Sequence, residues 1–420
     1  MRRFSFVVIV FMSFAALQSA FSAGVSKPTE KSQLLVGYFP QWGIYDTPPY
    51  FVKNLITSGS ISLLDQLNYA QGFIVNARCA VADPNADLQL TYTSANSVNG
   101  SADKPSSRFR GSFHQLQELK KRYPRLKILI SLEGKAPSFA EAAKPEHRAA
   151  FVSSCIDMFI RGHFAPGIKA RGIFDGFDVD WEYPEEGDAS NYTALLEEFR
   201  RQLNGVRPGL KLTIAAGPSP NMYHGVDFAE VAKTVDLIGL MNYDYSGPWH
   251  KETGFHAPLY SEHGGNGDGT VRAYENDGVP AEKLLLGVPF YGYSWKSVGA
   301  ENHGLFQPGE SVHEDRPYRY IQTLIGASSV YRDPTAQAPW LYDGNTFWTY
   351  EDPISARFKG AYAGQHQLGG VMVLQLGEDT SDAQLLKAVS AGLRAPLAAG
   401  QIVAQSPHVS ASEATGSAKE

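Results

Sequence analysis

Residues 171–184 read RGIFDGFDVDWEYP, and Asp175, Asp178, Asp180 and Glu182 fall within eight consecutive positions. Apolar residues separate the acids, as in a buried strand. A strand sends alternate side chains to opposite faces. Gly176, Asp178, Asp180 and Glu182 therefore share one face, and Phe177, Val179 and Trp181 share the other with Ile173 and Asp175. Three carboxylates stacked on one face repel one another, which drives their pKa values apart. Such a row can hold a protonated acid beside an ionised partner near neutral pH, the arrangement acid–base catalysis needs. Two other readings compete. The acids could be neutralised by Lys or Arg, or they could hold a divalent cation. Alternation along one strand does not encircle an ion, and no His or Cys accompanies the row at ligand spacing. Catalysis is the favoured reading. Asp175, on the opposite face, reads as structural.

The elements around this row must present its end to a substrate. Near-continuous apolar runs recur at 34–39, 65–74, 127–132, 173–182, 211–216, 235–243, 284–291 and 370–376, as parallel strands buried on both faces require. Helical patterns at 113–124, 146–164 and 191–205 precede three of them, with Gly205 as a stop. Eight strands alternating with helices predict an α/β fold, a (β/α)8 TIM barrel over 33–395. The apolar face of the acid strand then meets the outer helices, and the acids point into the lumen. Residues 76–110 read as an extended loop. The segment 293–358 reads as a small α+β insertion between strands seven and eight, with Asp343-Gly344 as a hairpin turn. Insertions on the face of the C-terminal strand ends border a barrel's active site.

Of 420 residues, 43% are hydrophobic and 19% charged, and the net charge of −6 gives no electrostatic footprint for nucleic acid or anionic membrane. The 21 Tyr, 23 Phe and 6 Trp suit a core, and they also suit a cleft that stacks sugar rings. Residues 1–22 read as a signal peptide, with Arg2 and Arg3, an apolar run from Phe4 to Leu17, and Ala20-Phe21-Ser22 fitting a small-x-small cleavage site. A secreted or periplasmic protein is expected. The apolar run is short for a bilayer span. Residues 396–420 are small and polar and are expected to be a disordered tail. Cys79 and Cys155 could pair in an oxidising compartment, or remain as two buried thiols.

DGFDVDWE resembles the D-G-x-D-x-D-x-E signature of family 18 glycoside hydrolases, the chitinases. The resemblance runs from about 33 to 395: VGYFPQW is similar to the family's first strand, LNYAQGF to the second, MNYDYSGPW to the sixth, GVPFYG to the seventh and GGVM to the eighth. It implies hydrolysis of β-1,4 bonds between N-acetylglucosamine units by a substrate-assisted, retaining route. In that route Glu182 is the general acid and base, Asp180 orients the acetamido group, and Asp178 shares a proton with Asp180. The resemblance further implies that Tyr243 bonds the acetamido carbonyl and that Met241 and Asp244 line the site. Tyr38 and Ser131 would support Asp178, Trp249 would stack beyond the scissile bond, and Tyr291 would line the cleft. No cofactor, metal, nucleic acid or membrane partner is expected; the partner is a carbohydrate, and a monomer is expected. Four positions leave the family's pattern. Glu133 and Lys135 replace a Gly and an aromatic after the third strand, Tyr293 stands for an Arg, and Leu374 stands for the Trp that floors the reacting sugar. Hydrolysis of another N-acetylated glycan (an N-glycan core or peptidoglycan) therefore stays open, as does a non-catalytic lectin on the same barrel.

Overall fold

The computed structural model describes residues 33–104 and 106–394; the segments read as signal peptide and tail lie outside them. Eight parallel strands form β1 (Leu34–Pro40), β2 (Gln66–Val75), β3 (Lys127–Lys135), β4 (Gly176–Glu182), β5 (Lys211–Ala216), β6 (Leu237–Leu240), β7 (Leu284–Pro289) and β8 (Gly370–Leu374). Each pairs with its successor, and β1 pairs with β8 to close the barrel. Eight helices of seven residues or more surround it: α1 (Gly111–Arg122), α2 (Ala136–Ala143), α3 (Pro145–Cys155), α4 (Ala189–Val206), α5 (Phe228–Thr234), α6 (Gly267–Asn276), α7 (Pro353–Gln365) and α8 (Gln384–Arg394).

The helices follow local chemistry. α4 buries Tyr192, Leu195, Leu196, Phe199 and Leu203, one stripe at helical spacing. α7 starts at a capping box in which Asp352 accepts from the Ser355 N–H and Ser355 Oγ accepts from the Asp352 N–H, with Pro353 at the first helical position.

Two apolar layers result. Outside the barrel, Trp181 stacks on Phe139 of α2 at 5.3 Å and Phe177 meets Phe199 of α4 at 5.2 Å. Inside, Val36, Leu285 and Met372 pack with Tyr38 and Tyr243. Complete burial of each large apolar side chain in the outer layer contributes about 1.5–3 kcal/mol, so β4's register is strongly held. Gly176 lets β4 approach β5: a Cβ there would lie 1.9 Å from the Lys211 carbonyl oxygen.

Several elements differ from the sequence reading. β4 begins at Gly176, not at 173, and Asp175 lies buried just before it, its backbone still bonded to Ile128 and Lys211. There its carboxylate accepts from the Ile128 N–H at 3.0 Å and pairs with Lys120. β6 is only Leu237–Leu240, so Met241 to Asp244 leave the strand. The segment read as a loop over 76–110 carries a strand, Arg78–Val81, antiparallel to the end of β2, and a helical turn at Asn85–Gln89. The helix read over 146–164 stops at Cys155 and loosens into a wide turn, Ile156–Ile160. Cys79 and Cys155 form a disulfide that ties the Arg78–Val81 strand to α3.

Between β7 and β8 the chain builds a five-stranded antiparallel sheet. In spatial order its strands are 310–317, 291–296, 347–349, 338–342 and 329–333. The last two pairings include a hairpin in which Tyr342 faces Phe347, and Asp343 accepts from the N–H groups of Asn345 and Thr346.

Candidate active site

At the C-terminal ends of the strands lies a cavity of about 330 Å³. Tyr38, Ser131, Asp180, Glu182, Met241, Tyr243, Asp244 and Tyr291 all line it. Asp178 lies beneath this floor, 1% exposed. Trp249 does not line this cavity. It is 57% exposed and borders an adjoining recess with Tyr293, His313 and Asp315, its ring 5.6 Å from that of Tyr293.

The register of β3 on β4 sets the row. Ser131 stands beside Asp178, Glu133 beside Asp180 and Lys135 beside Glu182. Asp178 accepts from Tyr38 Oη at 2.6 Å, Ser131 Oγ at 2.9 Å and Thr213 Oγ1 at 2.5 Å. Burial raises its pKa, and the Thr213, Tyr38 and Ser131 hydroxyls oppose that rise. Asp180, one pleat higher, is pushed well above the carboxylate range, first by burial and then by the charges of Glu182, Asp178 and Glu133. Its Oδ1 is buried without a hydrogen-bond partner. An unmatched buried acceptor costs about 1–3 kcal/mol, so this atom is poised for a donor from a bound molecule. Glu182 opens into the cavity, where desolvation raises its pKa; the Tyr183 hydroxyl opposes that, while Glu133 and Asp244 add to it. The row thus runs from a carboxylate held by three hydroxyls to two neighbouring acids, Asp180 and Glu182, that both favour carrying a proton.

The opposite wall is a second network. Asp244 adopts a left-handed backbone, φ 62°. Its Oδ1 accepts from Tyr291 Oη and Tyr293 Oη, each at 3.0 Å, and its N–H donates to His256 Nδ1 at 3.3 Å. His256 is fully buried, and burial followed by the charge of Lys359 pushes its pKa well below the usual value, so it stands neutral. A neutral ring with Nδ1 as acceptor fits that hydrogen bond.

The sequence reading did not single out Trp42, Tyr183 and Met222, which also line the cavity. Tyr183 follows the row directly, and Trp42 comes two residues after β1, so proximity to strand ends was the available signal. Glu133 and Leu374, set apart as departures from a family pattern, line the cavity as well. Among the described residues no group of three or more His, Cys, Asp or Glu side chains is arranged to hold a metal ion.

Known proteins are similar to this chain in sequence and fold. The family described as glycosyl hydrolases family 18 matches residues 34–379. Chitinase 63 of Streptomyces plicatus is 31% identical over 88% of this chain and 62% of its own length. Class V chitinase of Arabidopsis thaliana is 32% identical over 72% of this chain and 79% of its own. The catalytic domain of psychrophilic chitinase B from Arthrobacter TAD20 superposes with a TM-score of 0.80 at 29% identity, covering 87% of this chain and 96% of that one. The chain spans about three-fifths of the length of Chitinase 63 and of Chitinase C from Streptomyces lividans, 62% and 59%. The acid row on β4, the closed barrel that carries it and the match over 34–379 agree: the chain belongs to glycosyl hydrolase family 18.

Proposed function

We propose that this protein is a secreted chitinase that hydrolyses β-1,4 bonds between N-acetylglucosamine units with retention of configuration, using the substrate's own acetamido group as nucleophile. The observation that carries the reading is the position of Asp180 and Glu182. They project from one face of one strand, two residues apart, so both approach a sugar from the same side. Asp180 is thus poorly placed to attack C1 opposite a leaving group that Glu182 protonates. The acetamido oxygen supplies that attack instead. Glu182 gives its proton to the glycosidic oxygen as the C1–O bond breaks, and the acetamido carbonyl oxygen bonds to C1. Asp180, whose Oδ1 has no partner, shares its proton with Asp178, accepts from the acetamido N–H and so stabilises the positive charge of the oxazolinium. Water then attacks C1, Glu182 takes its proton, and the acetamido group is released. Tyr243 bonds the acetamido carbonyl, and Met241, Asp244 and Tyr291 shape the site. Family membership and the chitinase names of the relatives support the substrate class. The Cys79–Cys155 disulfide supports an oxidising compartment.

Glu182→Gln tests the reading. Hydrolysis of chitin oligosaccharides should fall by about 10²–10⁴-fold, with binding retained; equal activity removes Glu182 from its role. A second reading, the same chemistry on an N-glycan core or peptidoglycan, draws on Leu374 and Glu133 in the cavity wall. Product analysis on the three glycans separates the two readings. Binding without turnover on any of them would identify a lectin.

A further inference from the structure

A second pocket, of about 660 Å³ and open to solvent, lies at the same end of the barrel above the neighbouring strands β7, β8 and β1. Three segments wall it: Thr47 and Pro48 after β1, residues 316–323 of the inserted segment, and residues 380–384 after β8. Arg319 preforms it, donating to the Gly377 carbonyl and pairing with Asp46 at 3.4 Å, so that the inserted segment is fastened to both loops.

The lining indicates the class of ligand. Tyr320 is 44% exposed and lies beside Trp348, with the Arg316 guanidinium 5.9 Å from its ring centre. Both cations of the wall have acidic partners, Arg316 with Glu314 at 2.6 Å and Arg319 with Asp46. An anionic ligand would have to displace those partners. What remains to bind is the ring of Tyr320, the faces of Pro48 and Pro317, the Ser381 hydroxyl and the Gln322 amide, while the Gln384 amide is held by Asp382. Apolar faces rimmed by neutral donors and acceptors suit a pyranose, which carries an apolar CH face and a hydroxyl edge. The only carboxylate in the lining, Asp382, is held ionised by the Thr380 hydroxyl, so the pocket has no paired acids with which to cleave a bond.

The pocket also lies within reach of the catalytic cavity. Trp42 lines the one and Thr47 the other. Five residues of chain span at most ~18 Å, a gap that one oligosaccharide bridges.

We propose that this pocket is a second glycan-binding site, holding a distal stretch of the same polymer whose scissile bond lies against Glu182. The inference rests on the glycan-hydrolase reading above and adds to it a place that binds without cleaving. The test is a Tyr320→Ala/Gln322→Ala variant of the full chain, with Tyr320→Trp as the conservative partner. Two quantities are measured: kcat/KM on an aryl glycoside of N,N′-diacetylchitobiose, too short to occupy both places, and adsorption to insoluble chitin. Loss of one stacking ring, worth ~1–3 kcal/mol for aromatic stacking on nucleobases, corresponds to adsorption weakened about 5- to 150-fold. The short substrate should be turned over as by the wild type, and Tyr320→Trp should keep adsorption. Unchanged adsorption by the double variant overturns the inference, as does an equal loss on both substrates. A wild type that neither cleaves the short glycoside nor adsorbs to chitin overturns the catalytic reading and the inference together.

Discussion

Removing the Cys79–Cys155 bond gives a prediction whose size follows from the chain itself. The disulfide joins residues 76 apart in sequence. Cross-linking a loop of that length removes about 15 cal/mol/K of entropy from the unfolded chain, or ~4.5 kcal/mol at 25 °C. Unfolding roughly 360 described residues at about 2.1 cal/mol/K each gives an unfolding entropy near 0.76 kcal/mol/K. The double variant Cys79→Ala/Cys155→Ala should therefore melt about 6 °C lower. Each single variant should lose nearly as much as the double, because breaking one end removes the whole constraint. Differential scanning calorimetry measures this, with the reduced wild type as a third way to open the loop. The acid row is on β4, outside the closed loop, so under the proposed mechanism kcat at low temperature should hold. Single variants that each lose little and add in the double, with a wild type insensitive to reductant, would refute the cross-link.

Further predictions concern the cavity. The alkaline limb of kcat/KM should lie above the ordinary glutamate range near pH 4.3, because the proposed mechanism needs Glu182 protonated and its surroundings raise its pKa. Glu133→Gln removes one of the charges that favour the protonated form, so the limb should move to lower pH in a pH–rate profile; a limb that stays put or moves up contradicts the assigned electrostatics. His256→Phe leaves the Asp244 N–H without its acceptor. It should raise KM for chitin oligosaccharides and leave the pH profile in place, since His256 is already neutral; an altered limb would show that His256 titrates.

Much of this was legible in the sequence because two periodicities are strong. The eight apolar runs mark barrel strands, and alternation in β4 separates acids from aromatics without help from neighbours. The ends were harder. Apolar character in VDLIGLMNY continues past the point where β6 stops, because Met241 and Tyr243 remain buried after leaving the strand. Local pattern cannot separate burial in a strand from burial against a lumen. Trp42, Tyr183 and Met222 reach the cavity from connecting segments. His256 bonds a residue twelve positions earlier, and nothing in its neighbourhood distinguishes it from any other buried histidine. The sequence likewise left Asp175 without a partner, since Lys120 and Ile128 come to it from α1 and β3.

The alternation on β4 has a consequence for how such a barrel can change. The residues that hold the strand in place, Phe177, Val179 and Trp181, touch helices and never the cavity. Those that meet a substrate touch the cavity and never the helices. Glu133 and Leu374, two of the places where this chain leaves its family's pattern, both face inward, as Ser131 and Met372 do two positions earlier in the same strands. Substrate preference can therefore drift by exchanging lumen residues while the helix-packed face keeps the fold, so innovation and stability are written on opposite sides of the same strand.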